Sequence, residues 1–186
     1  MEIINQLKSN YFSKMKGEMR VSSTINFSEI LWSWIGSFIG IGAVSLVFFD
    51  IVNHIDKMML IGSFGASAVL LFAVSGSPLA QPRNVLGGFI ISALIGVTSY
   101  KLFYHDLWLA SAIAVSTSIA VMQFTQVLHP PGGATALIAV IGSEDIHSLG
   151  YSYALLPVGM GAFILLSVAL IINNIPKNRS YPSYWV

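Results

Sequence analysis

Cysteine is absent from the 186-residue chain. That excludes disulfides, thiol catalysis and thiolate metal sites. Charge is nearly as scarce. Charged residues make up 9% of the chain, against roughly a quarter in a soluble domain. The net charge is +1, so the balance names no partner and gives no basic surface for nucleic acid. A secretory signal is also missing. The first long apolar run starts near Ile30, too far in for an ordinary signal core, and no small-residue cleavage site follows it. The first span is therefore expected to insert and stay.

Hydrophobic residues are abundant instead, at 55% of the chain with a mean hydropathy of +0.75. Several runs approach the ~20 apolar residues that span a bilayer. The length leaves room for one compact membrane domain. The expected class is an all-α polytopic membrane protein. Six apolar segments run near 30–49, 58–75, 84–104, 107–128, 133–142 and 153–174. The fifth is too short to cross unaided at ~1.5 Å per residue; it either extends through the non-helical stretch before it or re-enters the membrane.

Loop charge favours six crossings with both termini inside. Lys8, Lys14, Lys16, Arg20, Arg83, Lys177 and Arg179 then share the cytoplasmic side, while Lys57 and Lys101 fall opposite. This satisfies the positive-inside rule. Residues 1–28 form a separate region. Ile3, Ile4, Leu7, Tyr11, Phe12, Met15 and Met19 fall near one helical face, and four basic side chains flank them. That pattern suits a helix lying on an anionic leaflet. Residues 29–175 are expected to form the membrane domain and 176–186 a tail. Trp32, Trp34, Trp108 and Trp185 fall near the expected interfaces and read as anchors.

Two polar breaks interrupt the apolar pattern. One is Ser77-Pro78-Leu79-Ala80-Gln81-Pro82-Arg83-Asn84; the other is His129-Pro130-Pro131-Gly132-Gly133. Proline and glycine break helices, and broken helices at membrane depth must be packed in protein or line a polar cavity. The second break leads into an echo. Gly65-Ala66-Ser67-Ala68-Val69-Leu70-Leu71-Phe72 reads against Gly133-Ala134-Thr135-Ala136-Leu137-Ile138-Ala139-Val140, a constant 68 residues apart. The chain thus reads as two three-segment repeats, 30–104 and 107–174. An odd number of spans per half inverts the second half, the plan of many transporters.

A helix starting at Gly132 or Gly133 would leave its first amides unpaired. Those amides and the helix dipole would favour an anion near midplane. Thr135 and Ser67 add hydroxyls on equivalent first turns. The candidate substrate-binding set is His129, Gly132, Gly133, Ala134, Thr135, Gly65, Ala66 and Ser67, with Arg83 and Asn84 at an entrance. His129 changes charge near neutral pH and could couple a proton to the anion. The competing structural reading makes the glycines packing positions and His129 a loop cap. Gln123 and Gln126 are expected to face protein rather than lipid. His54, His105 and His147 read as surface loop residues without metal-ligand spacing. A serine–histidine enzyme, pairing Ser63 with His129, is a weaker alternative, since no GxSxG elbow is present. A cargo-free structural or sensory subunit is the other.

HPPGGATAL at 129–137, SPLAQPRN at 77–84 and GSFGASAVLLF at 62–72 together resemble the HPP family of integral membrane proteins. The likeness extends from residue 28 to the closing Tyr181-Pro182-Ser183-Tyr184-Trp185. It implies a membrane transporter or channel with a small monovalent anion such as nitrite as cargo; no enzymatic activity, cofactor or metal is expected. Members that the chain resembles occur in bacteria, including cyanobacteria, and in plant plastids; a bacterial inner membrane is the first expectation. Glycine-rich faces also suggest a homo-oligomer embedded in lipid.

Overall fold

The computed structural model describes residues 26–48 and 62–185. The expected interfacial helix of residues 1–28 lies almost entirely outside the described residues, as does the loop that carries His54 and Lys57. All regular structure among the described residues is helical. α1 is Phe27–Phe48, α2 is Gly62–Ala73, α3 is Pro82–Phe103, α4 is Leu107–Phe124 and α5 is Pro130–Ile141. α6, Glu144–Leu149, runs through two irregular turns into α7, Met160–Ile172, giving one kinked apolar span of 29 residues. With α1, α3 and α4 it makes four helices long and apolar enough to cross a membrane.

α2 and α5 are different. Each has twelve residues, about 18 Å of helix, against a hydrocarbon core of ~30 Å. They occupy the second place in each half of the chain. The remaining packing follows the same exchange. α1 lies against α7 and α2, while α4 lies against α3 and α5. α3 packs on α5, and α7 packs on α2. Exchanging α1–α2–α3 with α4–α5–α7 maps each of these pairings onto another, as the inverted repeat requires.

Burial repeats with the same offset. Residues 62–68 and 130–136 show the same order of exposed, buried, buried, intermediate, exposed, buried, buried. The outward positions are Ala66 and Ala134; the inward ones are Ser67 and Thr135. The core between the halves holds Phe48, Phe64 and Phe89; the first pair stacks at 6.3 Å between ring centroids and the second meets at a tilt at 5.3 Å. Phe89 then meets the ring of His129 at 5.0 Å. α3 and α5 cross closely because glycine leaves no side chain between them. A Cβ on Gly96 would sit 2.5 Å from the carbonyl oxygen of Ala136.

The C-terminal tail is strapped back across the bundle. Arg179 donates to Glu29 Oε2 at 2.6 Å, Glu29 O at 2.7 Å, Ser33 Oγ at 3.0 Å and Phe72 O at 3.3 Å. Asn173 donates to Leu71 O at 2.9 Å. The last carbonyls of α2 are thereby satisfied by side chains, which a helix ending inside the bundle needs. Tyr181 donates its hydroxyl to Ala80 O at 2.6 Å, and burial pushes that hydroxyl well above its usual range.

Candidate functional site: a sealed histidine knot beneath an arginine vestibule

His129 is the N-cap residue of α5, with Pro130 and Pro131 in its first turn. Here the structure corrects the expected helix start at Gly132 or Gly133. Proline at the first helical position has no N–H to leave unpaired and a φ already set for the helix. Pro131 likewise has no N–H. The Gly132 amide is bonded to His129 O at 2.9 Å. The helix start therefore offers fewer open amides than its glycines suggest.

The two short helices meet side by side. Ser63 Oγ donates to Pro131 O at 2.9 Å and lies 2.9 Å from Thr135 Oγ1. Ser63 and Pro131 are 68 residues apart, so each touches its own counterpart. In a two-fold arrangement that happens only on the axis. Ser67 Oγ lies 2.7 Å from His129 Nε2, and His129 Nδ1 lies 2.8 Å from Leu79 O. A carbonyl oxygen only accepts, so Nδ1 carries a hydrogen. In the neutral ring Nε2 is then the acceptor, and Ser67 donates to it. The histidine is fully buried, as are Ser63, Ser67 and Thr135. The serine that meets His129 is thus Ser67, not Ser63.

The candidate residues divide into three groups. His129, Ser67, Thr135 and Gly132 belong to the buried knot. Gly132 is a packing position, since a Cβ there would come within 2.6 Å of Ser92 Oγ and 2.8 Å of Gly88 O. Ala66 and Ala134 face outward, with Gly65 and Gly133 half-buried beside them. Gly133 and Ala134 line a mostly apolar groove between α4 and α5 with Val115, Ile119 and Leu128. Arg83 and Asn84 open the third region, a cavity of about 460 Å³ that also includes Leu79, Gln123, Gln126, Leu128 and Tyr184. Gln123 and Gln126 therefore line open space rather than facing protein.

The vestibule and the knot are neighbours through two carbonyls. Leu79 lines the cavity and gives its carbonyl to His129. Leu128 lines it too and accepts from Asn84 Nδ2 at 3.0 Å. Arg83 donates to Thr125 O at 3.1 Å, at the end of α4. Among the described residues its guanidinium has no carboxylate partner; the ion pair they contain is Arg179–Glu29. Among the described residues no acidic side chain lines the cavity, so their local field favours anions.

His147 was expected on the surface. It is instead half-buried, stacked on Tyr100 at 3.7 Å, with Nε2 3.2 Å from Val140 O near the end of α5. Val140 is the counterpart of Phe72, whose carbonyl Arg179 caps. The two short helices are thus closed by a basic side chain at matching carbonyls. Among the described residues no three histidines or carboxylates converge as metal ligands would.

The family model for the HPP transmembrane region matches residues 22–182. Two curated transmembrane proteins of Dictyostelium discoideum are also similar. One is 43% identical over 178 residues, covering 94% of this chain and 57% of its own length. The other is 47% identical over 163 residues, covering 86% of this chain and again 57% of its own length. The chain thus spans little more than half the length of these relatives. No solved structure matches. A family match over residues 22–182 and two transmembrane relatives above 40% identity, on a bundle of apolar helices, settle the membership: the chain belongs to the HPP family of integral membrane proteins.

Proposed function

We propose that the chain is a transporter for a small monovalent anion, with nitrite the first candidate, and not an enzyme. One observation carries this reading. Arg83, unpaired with any described carboxylate, stands at a cavity whose lining residue Leu79 gives its carbonyl to the histidine that ties the two broken helices together. An anion attracted to Arg83 lies one layer of backbone from the knot. Because Pro130, Pro131 and the bonded Gly132 amide leave few free donors, side chains rather than amides make the principal contacts. Opening the path requires breaking the Leu79–His129 bond. If His129 takes a proton, both ring nitrogens donate. Ser67 then turns from donor to acceptor at Nε2, and its hydroxyl hydrogen is released toward the cargo. Proton and anion then assist each other's binding, and the two short helices provide the interface that rocks.

The test is nitrite entry into proteoliposomes, with internal pH followed alongside. Wild-type protein should admit nitrite faster than empty liposomes and acidify the lumen. Ser67→Ala should slow entry about tenfold, the worth of one hydrogen bond to a charged group. Flux equal to that of empty liposomes would overturn the proposal. We also propose both termini on the cytoplasmic side of a bacterial inner membrane, and self-association in lipid. The exposed groove on α1 formed by Trp34, Ser37, Phe38 and Gly42 supports the latter.

A further inference from the structure

We propose that Gln126 is a specificity-determining residue of the vestibule, held at a backbone cost for the sake of its side chain. This rests on the anion-transport reading and adds a contact residue to it.

Gln126 has φ +58°, the one non-glycine residue with positive φ among the described residues. Its place explains the angle. Thr125 closes α4, and Gln126 follows as the turning residue. Val127 N–H donates to Met122 O at 2.9 Å and Gln126 N–H to Gln123 O at 3.2 Å. Those two bonds define the standard left-handed helix ending, whose turning residue is usually glycine and sometimes asparagine. A glutamine there has a side chain crowding its own backbone. Nothing in the turn requires it, because both bonds are made by main chain.

The side chain's surroundings supply a reason for it. Gln126 is exposed and lines the cavity with Arg83, Asn84, Gln123 and Tyr184. Arg83 donates to Thr125 O, the residue just before it. The cation and the carboxamide therefore share one turn. The tail fixes another part of the wall. Gln81 Oε1 accepts from Ser183 N at 2.8 Å and Tyr184 N at 3.5 Å, which seats Tyr184 at the cavity. Beside the apolar Pro78, Leu79 and Leu128, the lining carries a guanidinium, carboxamides and a phenol, and no carboxylate among the described residues. That set suits a small oxyanion that accepts several hydrogen bonds at once more than a spherical halide. Strain retained beside a cavity is the usual mark of a functional position.

Gln126→Gly separates side chain from backbone. Glycine suits the left-handed turn, so the variant should melt no lower than wild type in detergent. Its half-saturating nitrite concentration should rise about tenfold, the loss of one hydrogen bond to an anion, and its preference for nitrite over chloride should fall. Gln126→Asn, which tolerates the same φ and keeps the carboxamide, should recover part of both. Nitrite-induced thermal shifts of the purified protein give a second readout. Unchanged nitrite dependence and unchanged preference in Gln126→Gly would overturn the proposal. So would a melting point several degrees lower, which would make the side chain structural. If wild type shows the shift, Gln126→Gly loses it and neither transports, the vestibule assignment stands and the transport reading falls. Absence of both flux and shift in wild type overturns both.

Discussion

Replacing Arg179 by methionine tests how the tail holds the first half-repeat. The Arg179 side chain is 6% exposed and that of Glu29 39%. The substitution keeps most of the apolar stem and removes donors to Glu29, Ser33 and Phe72. Breaking a fully buried pair costs about 3–5 kcal/mol. Glu29 is exposed enough for water to recover its carboxylate, and Ser33 Oγ still donates to Phe72 O at 2.7 Å. The remaining cost is about 2–3 kcal/mol, chiefly lost charge-assisted bonds. For a chain of this size that lowers the melting temperature by roughly 5–10 °C. Glu29→Gln alone should cost about 1–2 kcal/mol, because Arg179 then faces an amide. The double variant should cost little more than Arg179→Met, since both changes remove one interaction. Thermal unfolding of the four proteins in one detergent measures this. Additive losses, or an Arg179→Met shift under 1 °C, would show that the strap does not hold α2.

Further outcomes follow from single contacts. Gly96→Ala should destabilise by about 1–3 kcal/mol in a thermal melt, because the new Cβ would meet backbone of Ala136 at 2.5 Å. Gly133→Ala should stay within about 0.5 kcal/mol, since its nearest new neighbour would be Val115 Cγ1 at 3.8 Å. Arg83→Gln should slow nitrite entry several-fold at low ionic strength and show a weaker salt dependence, because one steering charge is lost; flux assays across a salt series check it. Tyr181→Phe should cost about 1 kcal/mol near neutral pH by losing the bond to Ala80 O. Burial raises the Tyr181 pKa, so this tyrosine favours the fold while protonated. Its contribution is complete below the ordinary tyrosine value of about 10 and fades above it. Melts from pH 7 to pH 11 should therefore show the two proteins converging.

The duplication was legible because small residues at fixed spacing make a pattern that survives inversion. Gly65-Ala66-Ser67-Ala68 and its echo proved to share burial as well as composition. The choice between Ser63 and Ser67 was not legible. The two lie four residues apart on one helical face, and only the axis decides that Ser63 meets Pro131 while Ser67 meets His129. The setting of Gln126 is hidden for a similar reason. A left-handed helix ending announces itself through glycine or asparagine, and this one has glutamine. His147 looked like a loop residue because its neighbours Glu144 and Asp145 are charged. Its burial comes from Tyr100 on α3, a contact between residues 47 positions apart.

The HPP tripeptide itself is best understood through donors. A helix beginning inside a membrane bundle leaves its first N–H groups without water to bond. An anion is one remedy, and the glycines pointed to it. The structure uses another. Pro130 and Pro131 remove two donors outright, and the carbonyl of His129 satisfies the amide of Gly132. The same histidine spends its ring on Ser67 and Leu79, tying the start of α5 to α2 and to the first polar break. Each residue of the tripeptide thus reduces the cost of ending a helix in a dry place, and that economy sets the knot's functional limits. With its own polar groups matched, the knot has little capacity to hold cargo at rest, whereas the vestibule has a guanidinium without a carboxylate partner among the described residues and a glutamine at positive φ. On the proposed transport reading, cargo binding belongs first to Arg83 and Gln126, and the histidine responds when the Leu79 carbonyl is drawn away. If His129 variants that still fold changed maximal flux while Arg83 and Gln126 variants changed half-saturation, this division of labour would be demonstrated; the reverse assignment would refute it.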